Sequence, residues 1–116
     1  MRIAKIKIQT IPWTGIRRRR PKFTEEVLLH REGDILNLRG LSQHYQFKVT
    51  NISGSSADIG PIGKSPAPIR IGGGINFKES IKKTRLTVGQ SIGAAVPTTG
   101  VGVRWKIVLV SIEGRS

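Results

Sequence analysis

The chain has 116 residues, with 20 Lys and Arg against 7 Asp and Glu, a formal net charge of +13. This length suits one domain, and 37% hydrophobic residues supply one modest core but no large catalytic chamber. Cysteine is absent, which excludes disulfides, Cys-ligated zinc, iron–sulfur clusters and thiol catalysis; with only His30 and His44, no metal site or cofactor is expected.

The N-terminus, MRIAKIKIQTIPW, alternates Lys with Ile and lacks the continuous apolar block of a secretory signal. No stretch approaches the roughly 20 apolar residues of a membrane-spanning helix. The expectation is a chain that is not exported by that route, cytoplasmic unless it is viral and resides in a virion. Charge is uneven. Residues 1–22 hold eight Lys and Arg and no acid, residues 23–50 hold three bases and four acids, and residues 51–116 hold nine bases and three acids. Such a field attracts polyanions and opposes compactness unless partners offset it.

Gly, Pro, Ser and Thr punctuate the chain every eight to fifteen residues, and Ile occurs sixteen times, which favours extended structure on a pleated surface. The pattern predicts strands at about 2–9, 26–31, 34–39, 44–51, 68–71, 79–88 and 101–112. Tyr45, Phe47 and Val49 alternate with Gln46, Lys48 and Thr50, the period-two pattern of a half-buried strand. Arg31-Glu32-Gly33-Asp34 reads as a hairpin turn between Val27–His30 and Ile35–Leu38, with Gly33 supplying a positive φ. From Gly60 to Gly74 the run holds three prolines and five glycines, which predicts a sheet edge or long loop. In the last strand Val103, Trp105 and Ile107 face one side and Arg104 and Lys106 the other. Ile107-Val108-Leu109-Val110 then turns apolar on both faces, as in a two-sided interior or an intersubunit contact.

The expected fold is all-β, a small single-domain antiparallel β-sandwich or barrel, jelly-roll-like or Ig-like, with long Gly/Pro loops. A basic N-terminal strand and arm at 1–22 precedes the sandwich or barrel at 23–116.

The loudest local signal is Arg17-Arg18-Arg19-Arg20-Pro21-Lys22. Four adjacent guanidinium groups repel one another unless solvated or facing anions, and the planar fork of Arg suits phosphate. Nucleic-acid phosphates or an acidic neighbouring subunit are the expected partners, with a solvated loop as the plain alternative. Trp13 lies close enough to stack on a base or plug a neighbour's groove. Lys78, Lys82, Lys83 and Arg85 form a second cluster; if their strand pairs with the one bearing Arg104 and Lys106, a basic stripe crosses one sheet. Tyr45, Phe47 and Trp105 read as core, which leaves Trp13, Phe23 and Phe77 as a thin aromatic platform. Base-specific reading is therefore not expected.

Other motifs fail on inspection. Gly60-Pro61-Ile62-Gly63-Lys64-Ser65 ends like a phosphate-binding loop, but position 58 is Asp and Pro66 and Pro68 forbid the helix that must follow. Gly72-Gly73-Gly74 and Gly100-Val101-Gly102 miss the dinucleotide pattern. Glu25 with Glu26 and Glu32 with Asp34 are the only close acids, all near turn signals, and no Ser has a convincing His partner. Asn51-Ile52-Ser53 matches a glycosylation acceptor but lacks an export signal.

No enzyme and no small-molecule substrate is expected. The leading expectation is a self-assembling structural protein: a capsid, capsid-decorating or tail subunit of a virion, or another β-rich shell or filament. Its partners are copies of itself or other structural subunits, with DNA or RNA met through phosphates and no membrane. Trp13, Ile107, Val108 and Val110 are its candidate assembly contacts. Arg17, Arg18, Arg19, Arg20, Lys22, Lys82, Lys83, Arg85, Arg104 and Lys106 are its candidate polyanion contacts. The alternative is a small β-barrel that binds nucleic acid without sequence preference.

Overall fold

A computed structural model describes residues 2–13, 24–39, 44–69, 80–95 and 102–114, with the side chains of Pro12 and Trp13 outside that description. The strands are β1 (Arg2–Trp13), β2 (Thr24–His30), β3 (Ile35–Arg39), β4 (His44–Thr50), β5 (Ser56–Ile62), β6 (Ala67–Pro68), β7 (Thr84–Thr87), β8 (Ser91–Ala95) and β9 (Gly102–Gly114). They form a five-stranded sheet in the order β2-β1-β9-β8-β6 and a four-stranded sheet in the order β3-β4-β5-β7. Every pairing is antiparallel, and the described residues include no helix. The protein is a β-sandwich.

Alternation decides what the two sheets bury. Ala4, Ile6 and Ile8 of β1 and Val103, Trp105, Ile107 and Leu109 of β9 point inward from the larger sheet. They meet Leu36 and Leu38 of β3, Tyr45, Phe47 and Val49 of β4, Ala57 and Ile59 of β5 and Leu86 of β7. Trp105 and Phe47 are the largest fully buried side chains, and the Trp105 ring meets Tyr45 edge-on at 5.7 Å between centroids. Ala94, opposite Trp105 on β8, is small enough to leave room for the indole.

The doubly apolar run in β9 is resolved by a bulge. The β1–β9 register passes from Ile6 opposite Leu109 to Lys5 opposite Ser111, so Val110 is the extra residue. Strict alternation would turn Ile112 to the outer face once Leu109 points in. The bulge reverses that parity, and Ile112 packs against the core opposite Ala4.

Two expectations change. Residues 31–34 do not close a hairpin, because β2 pairs with β1 in one sheet and β3 with β4 in the other. The Gly33 amide donates to the Val49 carbonyl at 2.7 Å, and the Val49 amide to the Asp34 carbonyl at 2.9 Å. Those bonds tie the turn to β4 and make it a corner between sheets, with Gly33 at a φ of +85°. Thr87–Gln90 makes a second such corner: the amide of Gly89, at a φ of +92°, donates to the Leu109 carbonyl. The Gly/Pro run, secondly, begins inside a strand. Pro61 belongs to β5 but lies beyond Ile59, where the β5–β7 pairing stops, so its missing N–H faces no ladder.

The strands expected at 79–88 and 101–112 shorten to β7 and lengthen to β9, and β5 and β8 are strands that the pattern does not predict. The expected basic arm is divided as well. β1 is an interior strand of the larger sheet, whereas 14–23 fall outside the described residues.

Replacing the buried ring in Phe47→Ala is expected to cost about 3–5 kcal/mol in urea unfolding. Val88→Ala, exposed on the Thr87–Gln90 corner, should stay within about 0.5 kcal/mol.

Candidate assembly edge and cationic face

β2 is an edge strand whose outer backbone has no partner among the described residues. In the sequence TEEVLLH only His30 is buried, while Val27, Leu28 and Leu29 are 46%, 42% and 60% exposed. The register places Glu25, Val27 and Leu29 opposite Gln9, Lys7 and Lys5, on the outer face of the sheet. Leu28 lies opposite Ile6 and so belongs to the inner face, at the rim of the core. Apolar side chains therefore flank this open edge on both faces. Solitary domains usually blunt an edge with charge, proline or a bulge, because its free N–H and C=O groups template pairing with another strand.

The same outer face carries cations. Lys5 and Lys7 of β1 and Arg104 and Lys106 of β9 share it, the first two opposite Ser111 and Val108 and the last two opposite Ile11 and Gln9. Lys7 holds Glu25 at 3.3 Å, which partly neutralises that corner. Val108, opposite Lys7, is half-buried, and Val110 at the bulge is exposed. The face is therefore mixed, cationic and apolar.

The basic stripe expected across one sheet is split between two. Arg85 lies in β7 of the smaller sheet, whereas Arg104 and Lys106 lie in β9 of the larger. Lys83 and Arg85 are instead committed to Asp58. The Arg85 guanidinium donates to Asp58 Oδ1 at 3.0 Å and to Ser53 Oγ at 3.2 Å, and Lys83 Nζ lies 3.7 Å from Oδ2. Asn51 Nδ2 donates to Oδ2 at 2.8 Å. That bond, opposed by burial and aided by Arg85 and Lys83, holds the Asp58 carboxyl below the ordinary carboxylate range.

Glu32 is structural too. Its two oxygens accept the amides of Asn51 and Ile52 at 2.7 and 3.1 Å, where Asn51 adopts a φ of +50°. The Asn51 side chain, which the sequence motif alone would offer for glycosylation, is thus engaged with Asp58. Asp34 Oδ2 likewise accepts the Arg31 amide at 2.7 Å.

Of the remaining candidates, Lys82 is exposed beside a recess of about 250 Å³ lined by Ile69 and Gly93. Ile107 is fully buried in this chain's own core, so its side chain is not an assembly contact. Arg17 through Arg20, Lys22, Phe23, Phe77 and Lys78 lie outside the described residues. The Trp13 backbone ends β1 opposite Gly102. The described residues contain no group of three or more metal-ligating side chains, and no helix long and apolar enough to cross a membrane. No protein-family model, curated protein or solved structure matches this chain.

The sequence pattern does not mark β2 as an exposed edge or Asp58 as an ion-pair centre. The first had a signal, three consecutive apolar residues in a strand between Glu25-Glu26 and His30-Arg31. The second had none, because its partners lie 7, 25 and 27 positions away.

Acid acts on this fold at two places. Burial pushes the His30 imidazole below the ordinary value of 6.5, against smaller raising effects of Asp34 and the Leu28 backbone, and its Nδ1 has no hydrogen-bond partner among the described residues. The neutral form is the one the fold favours, so this contribution is complete above that value and is lost as pH falls through the depressed one. Asp58, also depressed, contributes fully above its ordinary 3.8 and loses its contribution only in stronger acid. Denaturant midpoints measured against pH should show two separate declines; His30→Leu should flatten the upper one and Asp58→Asn the lower.

Proposed function

We propose that this protein is a non-enzymatic, self-assembling structural subunit, of the kind that builds a virion shell or tail or another β-rich assembly. The carrying observation is β2: an edge strand unpaired among the described residues, with exposed Val27, Leu28 and Leu29 and neither proline nor bulge to blunt it. Such an edge is a liability in a solitary molecule and a contact surface in an assembled one. β3 forms the adjoining edge of the smaller sheet, where Ile35 is also exposed, so one side of the sandwich carries two strand edges that no described residue pairs. In this reading the cations of the outer face and the Arg17–Lys22 run meet nucleic acid or an acidic neighbouring subunit.

One observation favours a second reading, a subunit that binds nucleic acid without sequence preference and without assembling. Lys5, Lys7, Arg104 and Lys106 share a face, as phosphate contact requires. Among the described side chains none offers a stacking platform, because Tyr45, Phe47 and Trp105 are buried, while Trp13, Phe23 and Phe77 fall outside that description.

Sedimentation at micromolar concentration is expected to show a defined oligomer or larger particle, and a monomer throughout overturns the first reading. Titration with single- and double-stranded DNA between about 50 and 200 mM salt checks the second. Each phosphate contact removed by changing Lys5, Lys7, Arg104 and Lys106, or Arg17 through Arg20, to Ala should lower the log–log salt slope by about 1. Absence of binding at the lowest salt removes that reading.

A further inference from the structure

We propose that β2 is a homodimer seam, in which the β2 strands of two copies pair antiparallel about a two-fold axis passing through Leu28. The inference rests on the self-assembly reading and names its partner as a second copy of this chain. The joined strands make one continuous sheet in the order β6-β8-β9-β1-β2 and back again through the other copy.

The edges available select β2. β6 has only two residues, one of them Pro68. β7 carries Arg85 and follows Lys82 and Lys83, so two copies would oppose like charges. β3 presents Asn37 and Arg39 outward with no acid to meet them. Among these edges β2 combines seven residues, an apolar centre and both charge signs, with Glu25 and Glu26 at one end and Arg31 just past the other.

Symmetry and charge then choose the register. A two-fold axis perpendicular to a continuous sheet keeps each residue on its own face, so a residue must lie opposite its own copy at the centre. Centring on Leu28 sets Val27 opposite Leu29 of the other copy, Glu25 opposite its Arg31 and Glu26 opposite its His30. Centring on Val27 sets Glu25 against Leu29 and Glu26 against Leu28, acid against apolar, with Arg31 only diagonal to Glu25. Centring on Leu29 sets Glu26 against Glu32, two like charges. Only the Leu28 register pairs apolar with apolar and sets Glu25 directly opposite Arg31.

Face by face the arrangement is consistent. On the outer face Val27 and Leu29 of both copies close into one apolar strip between the Lys5 and Lys7 pairs. On the inner face the two Leu28 side chains cover each other where each now lies open at the rim. The seam also lies in residues 23–50, the one stretch of this +13 chain in which acids outnumber bases, so repulsion between copies is least there.

The chain's lack of cysteine makes the test direct. Leu28→Cys should cross-link to a dimer under mild oxidation, because directly opposed residues of an antiparallel pair have Cα atoms about 4.5–5.5 Å apart, within the span a disulfide bridges. Val88→Cys, exposed on the β7–β8 corner, should not. Glu25→Arg and Arg31→Glu should each weaken dimerisation about tenfold in sedimentation equilibrium. Mixed one to one, the two variants should restore it, because in the mixed dimer positions 25 and 31 again meet with opposite charges at both ends of the seam. Far-UV circular dichroism checks that each variant folds, and the charge pair decides the matter if Leu28→Cys does not fold. A wild-type oligomer that survives both charge variants, or a Leu28→Cys chain that folds and does not cross-link, overturns this seam while leaving self-assembly standing. A wild-type monomer overturns both.

Discussion

Side-chain parity along the β1–β9 ladder is the constraint on which this molecule depends. The two strands are 12 and 13 residues long and lie side by side in the larger sheet, so an error of one residue would exchange core for surface along the whole sandwich. Parity puts Ile6, Ile8, Trp105, Ile107 and Leu109 inward and Lys5, Lys7, Arg104 and Lys106 outward in one stroke. The β9 sequence cannot keep strict alternation past Leu109, because Ile112 would then emerge on the charged face. The Val110 bulge absorbs the mismatch. Core and cationic face thus share one cause, and the exposed valine at the bulge is a by-product of both.

β2 follows from the same ladder. It hangs on the outer side of β1 and inherits its register, yet only His30 on its inner face is buried. Leu28, which opposes a fully buried Ile6, remains open. An interior strand could hold Val-Leu-Leu comfortably, and an edge strand of a solitary domain would more commonly carry Lys or Pro there. The local composition suits a strand with neighbours on both sides.

The all-β class and the core of β4 were legible because short strands with strict alternation need no distant partner to be recognised. Tyr45, Phe47 and Val49 are buried as their spacing predicts. What alternation cannot reveal is which strands share a sheet. The 31–34 turn has ordinary hairpin composition, and only the bonds of Gly33 and Asp34 to Val49 make it a corner. For the same reason Arg85 and Arg104 looked like members of one stripe, although their strands belong to opposite sheets. The apolar run of β9 is plain in the sequence, but half of it is the chain's own interior. The comparable run in β2 is the exposed one, a distinction set by its place at the end of the strand order rather than by its residues.

In the proposed assembly two forces on the larger sheet would respond oppositely to salt. Contact between cations and a polyanion weakens as salt rises, because each released counterion gains less entropy in a saltier solution. Contact between copies has the reverse tendency, since each brings +13 and screening relieves their repulsion while apolar burial persists. An exposed ion pair is worth only about 0.2–1 kcal/mol, so Glu25 and Arg31 would choose the register while the backbone ladder and the leucines supply the affinity. At low salt a polyanion lying across the Lys5–Lys106 face would neutralise the charge that keeps copies apart. Binding to it and pairing at β2 would then be cooperative without any change in the fold, because each relieves the electrostatic penalty of the other.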